Sequence, residues 1–330
     1  MERSGGIKPE INNFNTNKIK LLPKGNQRRI RPIKPVIVCL AKLESDYISE
    51  FIDYHLNLGF ETVYLYDNED KPLYQQLLTP KFGDKIVVTH TPGNTGVPIQ
   101  FQILRHFMNY YIDTDNITHV AHIDIDEFVC LKKHQNIKDF INEYITTDQN
   151  KIKCAGIVMN WRFFGSSNHT EKSDIPVTQR FTKCEKIGND HVKTLFNKEL
   201  IKIFETVHSV IPFNPKEYPV KTTGGEITDG PFNKIIDFSV IQLNHYKCKT
   251  LPEFRYIRTR GTPDQLPENY KEDIDANYHL YDINEMEELT AQKFYAPFIE
   301  PELGNPPDPI QLTISDYDPI KIDITDYAYP

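Results

Sequence analysis

The reading of this chain turns on His122-Ile-Asp-Ile-Asp-Glu-Phe128. The residues before it, 117–123, are mostly apolar and β-compatible, so they predict a buried strand running into an acidic end. Side chains two apart in an extended chain share a face, which would point Asp124 and Asp126 the same way. Two carboxylates at the carboxyl edge of a central strand make a hard, oxygen-rich site. Such a site suits Mg²⁺ or Mn²⁺, above all an ion already carrying phosphates. The plainer alternative is an acidic turn that merely ends a strand, and structural context separates the two.

Upstream, Pro35-Val-Ile-Val-Cys-Leu-Ala41 is a short apolar run of the kind buried on both faces of a parallel sheet. Ser45 or Asp46 is placed to cap a helix whose apolar positions (Ile48, Phe51, Ile52, His55, Leu56, Leu58) recur at helical spacing until Gly59. A strand over 61–67, a short helix over 72–78, a strand over 85–90, a Gly/Pro loop at 92–98 and a helix to about 111 follow. Strand and helix in strict alternation predict an α/β fold with a mainly parallel, Rossmann-like sheet flanked by helices. Ligands of such sheets bind at the carboxyl ends of the strands, which gathers Lys42, Glu44, Asp67 and Asp124 on one rim. No Gly-x-Gly-x-x-Gly or Walker-type Gly-Lys-Ser/Thr follows the first strand, which argues against a dinucleotide oxidoreductase or a P-loop enzyme.

Beyond Phe128 the pattern loosens. A helix over 137–144 and a strand over 154–161 lead into Asn160-Trp-Arg-Phe-Phe-Gly-Ser-Ser-Asn-His169. Short β segments, among them 200–210, and the Gly224-Gly225 turn precede a strand over 240–249 with a polar end and a helix over 251–260. The tail reads as a helix near 283–294, with extended segments at 310–314 and 320–324.

The chain has 330 residues, of which 39% are hydrophobic and 25% charged, as in ordinary soluble globular proteins. It contains no apolar run of about 18 residues and no apolar signal-peptide core, so a soluble, cytoplasmic protein without a membrane span is expected. Five dispersed cysteines (Cys39, Cys130, Cys154, Cys184, Cys248) fit a reducing compartment better than a disulfide framework or zinc site. The net charge of −8 is uneven: the first 34 residues carry nine basic side chains against Glu2 and Glu10. No aromatic residues interleave with them in the manner of single-strand binders, so no nucleic-acid partner is expected. The expected organisation is a basic arm over 1–34, a catalytic domain over 35–262 and an acidic, proline-bearing extension over 263–330. Oligomeric state is not legible.

A parallel sheet bearing Asp-x-Asp without a phosphate loop suggests that nucleotide diphosphate is handled through a divalent ion. Asp124 and Asp126 are the candidate ligands, with His245 as the third; a neutral imidazole can complete an oxygen-rich shell. His208 competes for that role, whereas His122 reads as a supporting or core residue. Lys193 or Lys249 would offset phosphate charge. Asp67 would meet a nucleobase or ribose, or else cap its own turn. Glu44 would touch the donor or serve as a first-turn acid of the following helix.

These segments together resemble glycosyltransferases of family 92 and the related family-2-like group. Val38-Cys-Leu-Ala-Lys-Leu-Glu-Ser, Phe51-Ile-Asp-Tyr-His-Leu-Asn-Leu-Gly-Phe and Tyr64-Leu-Tyr-Asp-Asn are similar to that group's opening. His122-Ile-Asp-Ile-Asp-Glu-Phe looks like its Asp-x-Asp (DxD) strand, and Asn160-Trp-Arg-Phe-Phe-Gly-Ser-Ser-Asn-His like its Asn-Trp-x-x-Phe-Gly-Ser-Ser-Gly-His. Asn244-His-Tyr-Lys-Cys-Lys-Thr with Arg260-Gly resembles its end. Leu43 stands where the group has Asn, and Asn168 where it has Gly. The resemblance implies a GT-A fold and a metal-dependent, inverting transfer of a sugar from a nucleotide-diphosphate sugar to a glycan or glycoconjugate hydroxyl. Trp161, Phe163 and Phe164 become acceptor-platform candidates, a place in the core of the second half being the favoured alternative for the two phenylalanines, and His169, Glu226 and Asp229 become candidates for the general base. The alternative is a catalytically idle nucleotide- or carbohydrate-binding module on the same fold.

Overall fold

The computed structural model describes residues 32–93, 98–114, 116–146, 151–261 and 273–296. Most of the basic arm, the tip of the Gly/Pro loop and the extended segments at 310–314 and 320–324 lie outside the described residues. In chain order, β1 (Pro35–Ala41), α1 (Ile48–Leu58), β2 (Thr62–Asp67), α2 (Tyr74–Phe82), β3 (Ile86–His90), α3 (Ile99–Tyr110) and β4 (His119–His122) form the alternating half. Then come β5 (Glu127–Leu131), α4 (Ile137–Tyr144), β6 (Gly156–Phe163), α5 (Val177–Arg180), β7 (Lys183–Cys184) and β8 (Val192–Asn197). The remaining elements are β9 (Ile201–Phe204), β10 (Val210–Pro212), β11 (Val220–Lys221), β12 (Ile241–His245), α6 (Leu251–Arg258), α7 (Ile274–Tyr281) and β13 (Met286–Glu287).

The main sheet runs β3-β2-β1-β4-β8-β6-β12-β5. Its first four strands are parallel, as the alternation predicts. β8 runs antiparallel to β4 and β6, β12 lies parallel to β6, and β5 closes the edge antiparallel to β12. The fold is thus a mixed, mainly parallel Rossmann-like α/β sheet with helices on its faces. Val36, Ile37, Val38 and Cys39 of β1 are wholly buried, each apolar side chain contributing about 1.5–3 kcal/mol of burial. Val36 and Val38 share a cluster with Tyr64, Ile103, Phe107, Val120 and Phe196, which locks α3 onto the sheet.

Consecutive β4 and β5 lie four strand spacings apart in the order β4-β8-β6-β12-β5. A flat sheet would separate them by about 19 Å at ~4.8 Å per spacing. Residues 123–126 are shortened by a turn in which Glu127 N–H donates to the Asp124 carbonyl at 3.0 Å, and they cannot reach so far. The sheet therefore curls, and the acidic turn bridges the curl.

α1 covers the outer edge of β5. The Tyr54 hydroxyl donates to the Val129 carbonyl (2.9 Å), and Val129 N–H donates to His55 Nε2 (3.2 Å). Edge backbone that would otherwise template another strand is thereby satisfied. All five cysteines are buried and free, and no helix among the described residues is long and apolar enough to cross a membrane.

Two local expectations change. The helix expected near 283–294 is the two-residue β13 followed by a 3₁₀ turn over Thr290–Phe294. Asp282 and Asn284 instead accept the backbone N–H groups of Ser166 (2.7 Å) and Ser167 (2.8 Å), which holds that stretch open. Neither Ser45 nor Asp46 caps α1: Tyr47 occupies the cap position without a side-chain bond, and the Glu44 carbonyl accepts from Tyr47 and Ile48 (both 3.0 Å).

Candidate active site

Strand β4 ends at His122, one residue short of the expected extended Asp-x-Asp, because residues 124–127 close a turn. Asp124 N–H donates to the Glu127 carboxylate (3.0 Å) while Glu127 N–H donates back to the Asp124 carbonyl (3.0 Å). The shared-face geometry of a strand is therefore replaced by a turn, and the two aspartates find different partners. Asp124 accepts from Gln100 Nε2 (2.9 Å) at the start of α3 and lies 3.2 Å from Lys193 Nζ on β8. Asp126 lies 3.5 Å from His245 Nε2. Topology explains the last pairing: β12 ends at His245 opposite Glu127, where β5 begins, and beside Phe163, where β6 ends.

Lys193 is fully buried, 3.8 Å from Glu127 as well as 3.2 Å from Asp124. Burial pulls its proton affinity down, but Asp124 and Glu127 outweigh this and keep it charged. Burial pushes Asp124 up, and Lys193 with His122 more than reverses the effect. Asp126 is likewise pushed up by burial and held well below the carboxylate range by His245, Lys249 and Arg260. Burial raises Glu127 despite Lys193, and one of its oxygens has no partner. Burial lowers His245 against the pull of Asp126, so its imidazole is poised to be neutral, the form that binds metal.

The donor set fits a hard divalent cation: two ionised carboxylates, 30% and 20% exposed, beside a neutral imidazole. Among the described residues no group of three or more His, Cys, Asp or Glu side chains is placed to hold a metal ion. A cation here would draw further oxygens from water or phosphate, as Mg²⁺ does in phosphate-handling sites.

The rim also carries Arg260, to which sequence alone assigned no role of its own; its signal was the Arg260-Gly pair of the family-like ending. Its guanidinium donates to Glu44 Oε1 (2.6 Å) and to the Lys42 carbonyl. Burial raises the Glu44 carboxyl against the pull of Arg260, and its second oxygen has no partner. Lys42 itself faces Asp70 at 3.7 Å. Lys249 Nζ donates to the Tyr246 carbonyl (3.0 Å) and sits 4.5 Å from the Tyr47 ring centre. Asp67 accepts the backbone N–H groups of Glu69 (3.0 Å), Leu73 (2.7 Å) and Tyr74 (3.1 Å), the turn-capping arrangement.

The aromatic candidates divide. Trp161 stands 4.5 Å from the His245 ring, and Phe163 stacks on His245 at 5.0 Å. Phe164 is only 1% exposed and packs on Tyr246, so it presents no face to a ligand and belongs to the core. Successive residues in extended chain face opposite ways, which separates it from Phe163. His208 Nδ1 bonds the Val192 carbonyl (3.0 Å) and the ring meets Trp161 edge-on at 5.3 Å, with no hydrogen bond or ion pair to either aspartate.

None of the three base candidates makes a hydrogen bond, ion pair or ring contact with Asp124, Asp126, His245 or Lys193 among the described residues. His169 Nε2 is tied to the Arg180 carbonyl (3.0 Å). Glu226 is hydrogen-bonded to Thr222, which lowers its proton affinity. Asp229 lines a separate cleft of about 310 Å³ with Val158, Glu205, Ile211 and Ile227. The structure instead brings His191 against Trp161, the two rings stacked at 4.8 Å and 12°. Its only signal in sequence was the polar Gly188-Asn-Asp-His191 cluster before a strand.

No family model matches this sequence, and no curated protein matches it. Among solved structures it is similar to HddC from Yersinia pseudotuberculosis, at 10% identity and TM-score 0.29 over 60% of this chain and 93% of that one. It is also similar to a 4-diphosphocytidyl-2C-methyl-D-erythritol synthase (9% identity, TM-score 0.30, 51% and 77% covered). The corresponding synthase from Anaerococcus prevotii DSM 20548 gives 10% identity and TM-score 0.25, with 52% and 72% covered. Likenesses this slight carry no argument, and the functional reading rests on the geometry of the rim.

Proposed function

We propose that this protein transfers a sugar from a nucleotide-diphosphate sugar to a carbohydrate hydroxyl, with a divalent cation on the diphosphate and inversion at the anomeric carbon. The observation that carries the reading is one rim holding ionised Asp124 and Asp126, neutral His245 and the cations Lys193 and Arg260. Carboxylates alone repel a diphosphate, and cations alone need no carboxylates; the combination suits an anion delivered with a metal. Asp124, Asp126 and His245 would contribute to holding Mn²⁺ or Mg²⁺ together with water and phosphate oxygens, with His208 held apart by its bond to Val192. The bound ion supplies stabilisation of charge on a leaving diphosphate. Lys193 keeps Asp124 ionised, while Arg260 and Lys249 do the same for Asp126 and offset phosphate charge. Trp161 and Phe163 wall the side on which a sugar ring would lie. Inversion follows from the resemblance and needs a single base on the acceptor hydroxyl.

Calorimetric titration with UDP and GDP, with and without Mn²⁺, followed by a hydrolysis screen over nucleotide sugars, tests this. Binding that requires Mn²⁺ is expected. No nucleotide binding in the presence of Mn²⁺ would overturn it.

A further inference from the structure

His191 stands where β8 begins, on backbone pinned from several sides. Its carbonyl accepts Trp161 N–H (3.0 Å), and Asn189 N–H donates to the Trp161 carbonyl (3.0 Å). Asn160 Nδ2 donates to the carbonyls of Asn189 (3.1 Å) and Asn233 (2.9 Å), and Asn233 N–H donates to the Asp190 carbonyl (2.7 Å).

The protonation of the ring follows from its neighbours. His191 N–H, which can only donate, bonds Asn189 Oδ1 at 2.9 Å, so that atom is the amide oxygen and not its nitrogen. The same oxygen lies 2.8 Å from His191 Nδ1. An oxygen that only accepts requires a proton on Nδ1, which leaves Nε2 with a bare lone pair. Nε2 has no hydrogen-bond partner among the described residues, and the side chain is 37% exposed. The ring is fixed between Trp161 and Phe232, whose centroid is 4.6 Å away, and Trp161 joins it to His245.

We infer that His191 is the general base of the transfer, taking the acceptor hydroxyl's proton on Nε2; this rests on the function proposed above. The acceptor O–H bond breaks as its oxygen bonds the anomeric carbon. The bond from that carbon to the donor's diphosphate breaks, and its electron pair leaves with the nucleotide diphosphate. The proton stays on Nε2 as imidazolium until water removes it. Asp190 Oδ1, 3.6 Å from Nδ1, offsets that charge. Burial, opposed by Asp190, lowers the ring's proton affinity, so the resting imidazole is neutral.

Three measurements test the assignment. ¹⁵N NMR of the unliganded protein should show His191 protonated at Nδ1 and bare at Nε2; the opposite tautomer would overturn it. His191→Gln should lower kcat by about 10²-fold or more with the donor selected by the hydrolysis screen. Its Mn²⁺-dependent UDP or GDP affinity and its melting temperature should stay near wild type. In His191→Ala, added imidazole should restore turnover in a saturable way. If wild type binds nucleotide and turns over but His191→Gln keeps its rate, His191 is not the base and the proposed function stands. If wild type binds no nucleotide with Mn²⁺, both fall, whatever the tautomer.

Discussion

Asp124 and Asp126 are held ionised by different partners, and their variants should part company accordingly. Asp124→Asn strips buried Lys193 of its closest anion. We expect a loss of about 2 kcal/mol, below the usual cost of breaking a buried pair because the carboxylate is part-exposed. Asp126→Asn loses a histidine contact and the longer-range pull of Lys249 and Arg260 but leaves no buried lysine without its closest anion, so it should lose less stability than Asp124→Asn. Both should lose Mn²⁺-dependent nucleotide binding; equal melting temperatures for the two variants would refute the distinction. His245→Ala should weaken Mn²⁺ and nucleotide binding together, because one ion is shared. His208→Ala should leave both nearly unchanged, and titration of each variant with UDP at several Mn²⁺ concentrations checks the order. That two carboxylates follow the end of β4 was legible in sequence, since it needs only residue order and the apolar run before them. The turn was not, because it depends on the Glu127 carboxylate folding back onto Asp124 N–H. His191 was hidden, and so was the pairing of Arg260 with Glu44, because the residues they meet, Trp161 and Glu44, are distant in sequence.

Helix α1 was legible from its apolar spacing, but the task of its polar members was not. His55 sits in that apolar series and is wholly buried, accepting from Val129 N–H on Nε2 and reaching the Phe51 carbonyl through Nδ1 at 2.8 Å. A donor on one side and an acceptor on the other fix it neutral, and burial takes its pKa to about 3. His119 in β4 is likewise lowered to about 3 by burial. Unfolded histidine titrates near ~6.5. Between the two values the unfolded chain binds more protons, so stability falls as pH falls, by about 1.4 kcal/mol per pH unit for each histidine. Urea midpoints measured at several pH values below ~6.5 should show this slope, which should vanish above it. His55→Gln, less stable throughout, should show a shallower one; an unchanged slope would remove His55 from the explanation. Asn160 belongs here too. Its amide joins β6 to the 189–190 and 231–233 segments, so Asn160→Ala should cost about 1–3 kcal/mol or more in a thermal melt. The Asn-Trp pair was visible as a motif, but its work as a strap could not be read from one strand.

The parallel half of the sheet followed from alternation, because each crossover pairs strands that are near in sequence. The curl and the β5–β12 pairing did not, since they join residues 127–131 to 241–245. At the β6–β8 contact, a Cβ on Gly156 would lie 2.8 Å from the Leu195 carbonyl and 3.0 Å from Phe196 Cβ. Neither can retreat without parting the strands, so Gly156→Ala should cost about 1–3 kcal/mol. Gly224→Ala meets only the mobile end of Glu226 and should cost less; differential scanning calorimetry of the pair decides. The curled order has a consequence for synthesis on the ribosome. β5 emerges soon after β4, yet β12, its strand partner among the described residues, is translated after β6 and β8. Until then the nascent chain would carry one unpaired edge on β5, the other being met by Tyr54 and His55 of α1. Translation slowed between residues 131 and 241 should therefore leave a sticky intermediate needing a chaperone, and ribosomes stalled before His245 should hold chains with no capacity for Mn²⁺-nucleotide.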